Sequence, residues 1–205
     1  VRVVAGAVPS ESRLRADARR NSEQIRSAAV GAFQGQGLTV PLEEVAKAAG
    51  VSKATIFNRF GGRIGLIEAV IEEVVASALF AVIDHARTID DVGERIAYYL
   101  TAIRDLQYRQ PAFNDVLLQT YADSEQLMRI CRVGTEANEE IVTAARARGA
   151  LRPEFTAGDL HALVVDNALA LKHGKRPPRD DYDRRTRYVL DGILGSSSSA
   201  AAGGR

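Results

Sequence analysis

A single cysteine in 205 residues excludes an intramolecular disulfide framework, and no cysteine or histidine spacing suits a metal. Cys131 has no obvious basic neighbourhood to activate it, so a half-buried structural thiol on a helix is expected rather than a redox sensor. No run approaches the ~20 consecutive apolar residues of a membrane-spanning helix. Val1 to Pro9 lacks the charged region, apolar stretch and cleavage site of a secretory leader, so a cytoplasmic protein with no membrane partner is expected. Alternating strand patterns are absent as well. So are a nucleophile with its base, a tuned carboxylate pair and a phosphate-cradling glycine loop, which leaves no enzymatic chemistry at recognisable spacing. Asp166-Asn167 and Asp180-Asp181 are the nearest acidic groups, one on a helical face and the other starting a helix. No cofactor is implied.

What remains is helix. Hydrophobic residues make up 46% of the chain, ample for a buried core, and five of the six prolines fall at gaps between helical runs. The charge is unevenly spread. Residues 1 to 63 carry ten Lys or Arg against five Asp or Glu, while the remainder carries seventeen against twenty-one. A basic N-terminal part and an acidic C-terminal part fit a polyanion bound at one end only.

The most informative stretch is Leu42 to Arg63. Pro41 can start a helix because its missing N–H needs no partner there, and Leu42, Val45, Ala46 and Ala49 recur at helical spacing. Gly50 supplies a turn. Ser52 is a natural N-cap, so a second helix is predicted from Lys53 to about Arg59. Ala46 and Ala49 are small where two helices cross, and Val51 and Ile56 face the same core. Lys53, Thr55, Asn58 and Arg59 point outward, as donors and acceptors for phosphates or base edges. This is a helix-turn-helix pattern, whose second helix enters the DNA major groove; the competing reading is a generic helical hairpin.

The flanking sequence strengthens the first reading. From Arg13 to Val70 the chain resembles the N-terminal domain of the TetR family of transcriptional regulators. The resemblance rests on Arg19-Arg20-Asn21 before a helix with Ile25, Ala28, Ala29, Ala32 and Phe33, on the run Val45 to Phe60, and on Arg63 ahead of Leu66, Ile67 and Val70. It implies a DNA-contact set of Lys53, Ala54, Thr55, Phe57, Asn58, Arg59 and Arg63. Arg13 and Arg15, just ahead of the first helix, are candidates for a basic arm reaching the minor groove. Two departures stand out. Phe57 replaces the family's usual Tyr, whose hydroxyl reaches a phosphate, so Arg59 and Arg63 are expected to carry more of the backbone contact. Val40-Pro41 stands where the family often has Thr, so the second helix starts either with Thr39 as cap or with Pro41 and the carboxylates of Glu43 and Glu44.

The remaining helices are predicted at about Ile64 to Arg87, from Asp90-Asp91 through Leu106, from Pro111 to Leu118, from Ser124 to Arg148, from Thr156, and from Tyr182 to Leu194. The expected architecture is all-α with about nine helices. Residues 13–63 form a three-helix DNA-binding domain and residues 64–194 a helical bundle for ligand binding and dimerisation. Residues 1–12 and 195–205 are read as flexible tails. The resemblance implies that the last two helices pair with those of a second copy, and a two-fold dimer would read two half-sites about 34–36 Å apart. It also implies a small-molecule pocket in the bundle, for which Phe80, Tyr98, Phe113, Leu117, Tyr121, Met128, Asn138 and Asn167 are candidates, as polar or aromatic groups on otherwise apolar stretches. The function expected is a homodimeric repressor of a double-stranded DNA operator, released by a small molecule. A DNA-binding architectural protein without an effector and a helical enzyme are the alternatives.

Overall fold

The computed structural model describes residues 11–195, with side chains from Ala18 onward. Helix α1 (Glu11–Gln36) buries Ile25, Ala29 and Phe33 completely, a stripe at helical spacing that forms the floor of the N-terminal unit. Because α1 begins at Glu11, Arg13 and Arg15 lie in its first turns; the expected arm ahead of the helix is corrected to helical backbone. The two tails expected at 1–12 and 195–205 lie, apart from Glu11, Ser12 and Gly195, outside the described residues.

Helix α2 (Leu42–Ala48) has Pro41 at its N-cap and no side-chain cap, so Thr39 is not used. Glu43 and Glu44 instead place negative charge at the positive end of the helix. Gly50 turns the chain at φ +65°, a conformation that costs a side chain roughly 1–2 kcal/mol. Ser52 then caps α3 (Lys53–Phe60), its Oγ accepting a hydrogen bond from the Thr55 N–H at 3.1 Å.

Helix α4 runs through Arg63–Ile71, a π-helical turn at Glu72–Ala76 and Ser77–Thr88. Its limits match the single helix expected there, but no residue pattern marks the π turn. In that turn the Glu72 carbonyl accepts from both the backbone N–H and the hydroxyl of Ser77. Asp91 caps α5 (Val92–Arg109), and Pro111 opens the short α6 (Pro111–Leu117). Ser124 caps α7 (Glu125–Ala147), which Gly149 ends at φ +70°. Thr156 and Asp159 complete both halves of a capping box at the start of α8 (Ala157–His173). Helix α9 (Arg179–Ile193) starts three residues before Tyr182, because Pro178 sets its first turn and Asp180 and Asp181 favour its N-terminal end.

The C-terminal core is built around α5, whose Ile96, Tyr99, Leu100 and Ile103 are buried among α4, α7 and α8. Helix α6 sits between the two parts of the chain. It packs on α1 to one side and on α8 to the other, which makes it the joint between the helix-turn-helix and the bundle.

Candidate nucleic-acid interface and its link to the bundle

The outer side of α3 presents Lys53, Ala54, Phe57, Asn58 and Arg59 to solvent, while Ile56 on its inner side is fully buried. Thr55 is half-buried, and its hydroxyl lies 2.9 Å from that of Ser52. Lys53 Nζ hydrogen-bonds Glu43 at 2.5 Å, which holds the Glu43 carboxyl below the usual carboxylate range, and lies 6.0 Å from the Phe57 ring centroid. Arg59 has no ion-pair partner among the described residues.

Glycine fixes the exit from α3. Gly61 caps the helix at φ +73°, and Gly62 follows at φ +104° with the Phe57 ring so near that a methyl would come within 2.9 Å of Cε1. At Gly65 a methyl would overlap the Phe60 carbonyl, so α4 leaves α3 at a distance only glycine permits. Arg63, expected as a contact to the DNA backbone, also makes bonds within the fold. It is half-buried, and its Nη1 donates to the Leu38 carbonyl at 2.9 Å and the Val40 carbonyl at 2.7 Å. That nitrogen is committed to the α1–α2 loop, which makes Arg63 a positioning residue for the unit.

The same loop is held from the other side by the bundle. The Leu38 N–H donates to Asp115 Oδ2 of α6 at 2.6 Å, and the Leu38 carbonyl also accepts from the Tyr121 hydroxyl at 3.1 Å. Asp115 is in turn paired with Lys172 of α8, and only 4% of its side-chain surface is exposed. A further tie joins Ser124 Oγ to Glu68 of α4 at 2.5 Å. The segment from Asp115 to Ser124 thus grips the helix-turn-helix unit at the α1–α2 loop and at α4.

Residues 25–70 match the family described as bacterial regulatory proteins, tetR family. The HTH-type transcriptional regulator AlkX of Mycobacterium tuberculosis is 30% identical over 152 residues, covering 70% of this chain and 69% of that protein. The chain belongs to the TetR family. A second relative, the HTH-type transcriptional activator FasR of Mycolicibacterium smegmatis, is 27% identical over 172 residues, which is 81% of this chain and 78% of FasR. The fold is shared with the ketosteroid transcriptional regulator KstR2 of Mycobacterium tuberculosis at a TM-score of 0.62 and 17% identity, over 94% of this chain and 99% of that one. The protein is accordingly a DNA-binding transcriptional regulator and not an enzyme.

The bundle of this TetR-family chain contains a narrow cavity of about 50 Å³ among α4, α5, α6, α7 and α8. Of the eight candidate ligand residues, Phe113, Leu117 and Asn138 line it. The other five do not. The Tyr121 hydroxyl faces Leu38, and Asn167 gives its amide protons to Gln107 and Tyr182. The Tyr98 ring lies tilted against His85 with ring centroids 4.6 Å apart, outside the cavity. Phe80 is half-buried against the core and Met128 is half-buried, and neither lines the cavity. Tyr99, Gln119, Cys131 and His161, outside the candidate ligand set, do line the space. Burial pushes the Cys131 thiol up, and its Sγ lies 3.2 Å from the Val116 carbonyl, as befits a structural thiol. Gln119 is the non-glycine residue with positive φ, at 51°, among the described residues. Val116, Leu117 and Gln119 therefore face the cavity in the same segment that holds Leu38 through Asp115 and Tyr121. No helix among the described residues is long and apolar enough to cross a membrane.

Proposed function

We propose that this regulator is a homodimeric repressor that reads a palindromic double-stranded DNA operator with α3 and leaves it when a small-molecule effector enters the bundle cavity. In this reading residues 13–63 bind DNA and residues 64–194 bind the effector and the second subunit, in the bacterial cytoplasm where the chromosome lies. The observation that carries it is the exposed row Lys53, Ala54, Phe57, Asn58 and Arg59 on a short helix anchored from behind by Ile56. Asn58 and Arg59 can each form two parallel bonds to a base edge, while Lys53 supplies charge to the phosphates and Thr55 borders the contact at the capped end. Phe57 adds an apolar contact to the sugar-phosphate chain.

The exposed apolar residues support the dimer. Leu169 on α8 and Tyr188 on α9 are 44% and 63% exposed, surface that a second copy would cover. The effector reading rests on the segment from Asp115 to Tyr121, which has the cavity on one side and Leu38 on the other. A ligand that widens the cavity favours an arrangement in which that hold on the α1–α2 loop changes. The shift in operator affinity is bounded by its preference for that arrangement. Sedimentation at micromolar concentration is expected to give a dimer that binds one operator duplex. A monomer at that concentration would contradict the two-fold reading.

A further inference from the structure

The cation that opens α3 already holds an anion. Lys53 Nζ donates to Glu43 Oε1 at 2.5 Å, and Glu43 is its one hydrogen-bond partner among the described residues. Glu43 stands in the first turn of α2, where it also meets the positive end of that helix. The bond from Lys53 keeps the carboxyl below its ordinary range, and Arg63 adds a smaller pull of the same sign, so Glu43 is charged at neutral pH. Glu44 shares that turn, is also exposed, and pairs with no cation among the described residues.

A carboxylate beside the exposed row of α3 opposes the polyanion that the row is suited to bind. It is no hidden strut. The Lys53 and Glu43 side chains are 48% and 62% exposed, and an ion pair so open to water is weak and easily exchanged. What it can do is compete, because a phosphate oxygen and the Glu43 carboxylate make the same short charge-assisted bond with Lys53.

We propose that Glu43 is a restraint on DNA binding, occupying Lys53 in the free protein as a phosphate would, so that every duplex must displace it. This inference rests on the reading of α3 as the DNA-binding helix and adds a residue of α2 that sets its strength. With Lys53 directed to phosphate rather than to a base, the restraint acts on all sequences alike. It also alters the salt response. When Lys53 moves to DNA, the freed carboxylate gathers a cation from solution, which offsets one of the counterions that the DNA releases. A purely structural bridge between α2 and α3 predicts the opposite sign, since its loss would disorder the face and weaken binding.

The test uses the full chain, a duplex of mixed sequence and a sodium chloride series, read by fluorescence anisotropy. Glu43→Gln keeps the size of the side chain and removes its charge. It is expected to tighten binding roughly twofold to fivefold and to steepen the salt slope by about one. In a Lys53→Ala background the same change should have little effect, and Glu44→Gln in the parent should do less than Glu43→Gln. Binding unchanged or weakened by Glu43→Gln, or tightened as much without Lys53 or by Glu44→Gln, would overturn the restraint. Arg59→Ala leaves the pair intact and separates the two levels. If it weakens binding while Glu43→Gln does nothing, only the restraint falls; if neither changes binding, the placement of α3 on DNA falls with it.

Discussion

The backbone of Leu38 is fully engaged between two parts of the molecule: its N–H donates to Asp115 Oδ2 at 2.6 Å, and its carbonyl accepts from Arg63 and Tyr121. Leu38 belongs to the loop that sets α2 against α1, and Asp115 belongs to the short helix beside the cavity. Removing the carboxylate therefore strips a partner from both Leu38 and Lys172. Asp115→Ala is expected to cost about 3 kcal/mol in urea unfolding, as for a broken buried ion pair, and Asp115→Asn less, because the amide oxygen still accepts from Leu38. Lys172→Met alongside Asp115→Asn should recover part of the loss. Equal stability of Asp115→Ala and the parent protein would show that the pair holds nothing.

Glycine substitutions at the exit of α3 separate geometry from chemistry. Gly65→Ala forces a methyl onto the Phe60 carbonyl and should destabilise by about 1–3 kcal/mol while displacing α3. Operator affinity should fall although no residue of the exposed row has changed. Gly31→Ala, where a methyl meets nothing within 4 Å, is the matched control and should leave both readings intact. Thermal melting and operator titration on the two variants check the pair.

Alanine at Lys53, Asn58 and Arg59 distinguishes their tasks. At a base-reading position the change is expected to cost ~1–3 kcal/mol and to relax preference at that base pair. At a phosphate-contacting position it should weaken all sequences alike and reduce the salt slope by about 1. Arg63→Ala should instead lower folding stability, because its Nη1 bonds lie inside the fold. Unchanged binding in all three surface variants would sink the assignment of α3.

Phe57→Tyr offers a gain rather than a loss. The ring lies against Gly62 and is 49% exposed, so a hydroxyl at its tip can reach solvent or a phosphate. A hydrogen bond to a charged group contributes about 1.5–3 kcal/mol, so operator binding should tighten roughly tenfold or more, as measured by fluorescence anisotropy. An unchanged affinity would place residue 57 away from the DNA backbone.

The local punctuation of this fold was legible in the chain. Gly50 and Ser52 fix the turn between α2 and α3, and Thr156 with Asp159 marks the start of α8, because each acts on backbone groups within a few residues. Long-range pairings were not. Asp115 and Leu38 are 77 positions apart, and nothing near Asp115 announces a partner. The residue type of Arg63 suits a phosphate contact and an internal bond equally; only the nearness of Leu38 and Val40 reveals the internal one. Cavity residues were hardest. Asn167 and Asn138 look alike in sequence, yet one bonds Gln107 and Tyr182 away from the cavity while the other accepts from Tyr99 and lines it.

Selection of bound sequences from a random duplex pool by the full-length protein tests the central claim most directly. Enriched sites should be inverted repeats whose half-sites are centred about one helical turn or a multiple apart, and the Asn58→Ala and Arg59→Ala variants should lose preference at matching positions in both halves. No enrichment, or enrichment that ignores both substitutions, would contradict a symmetric operator read by α3.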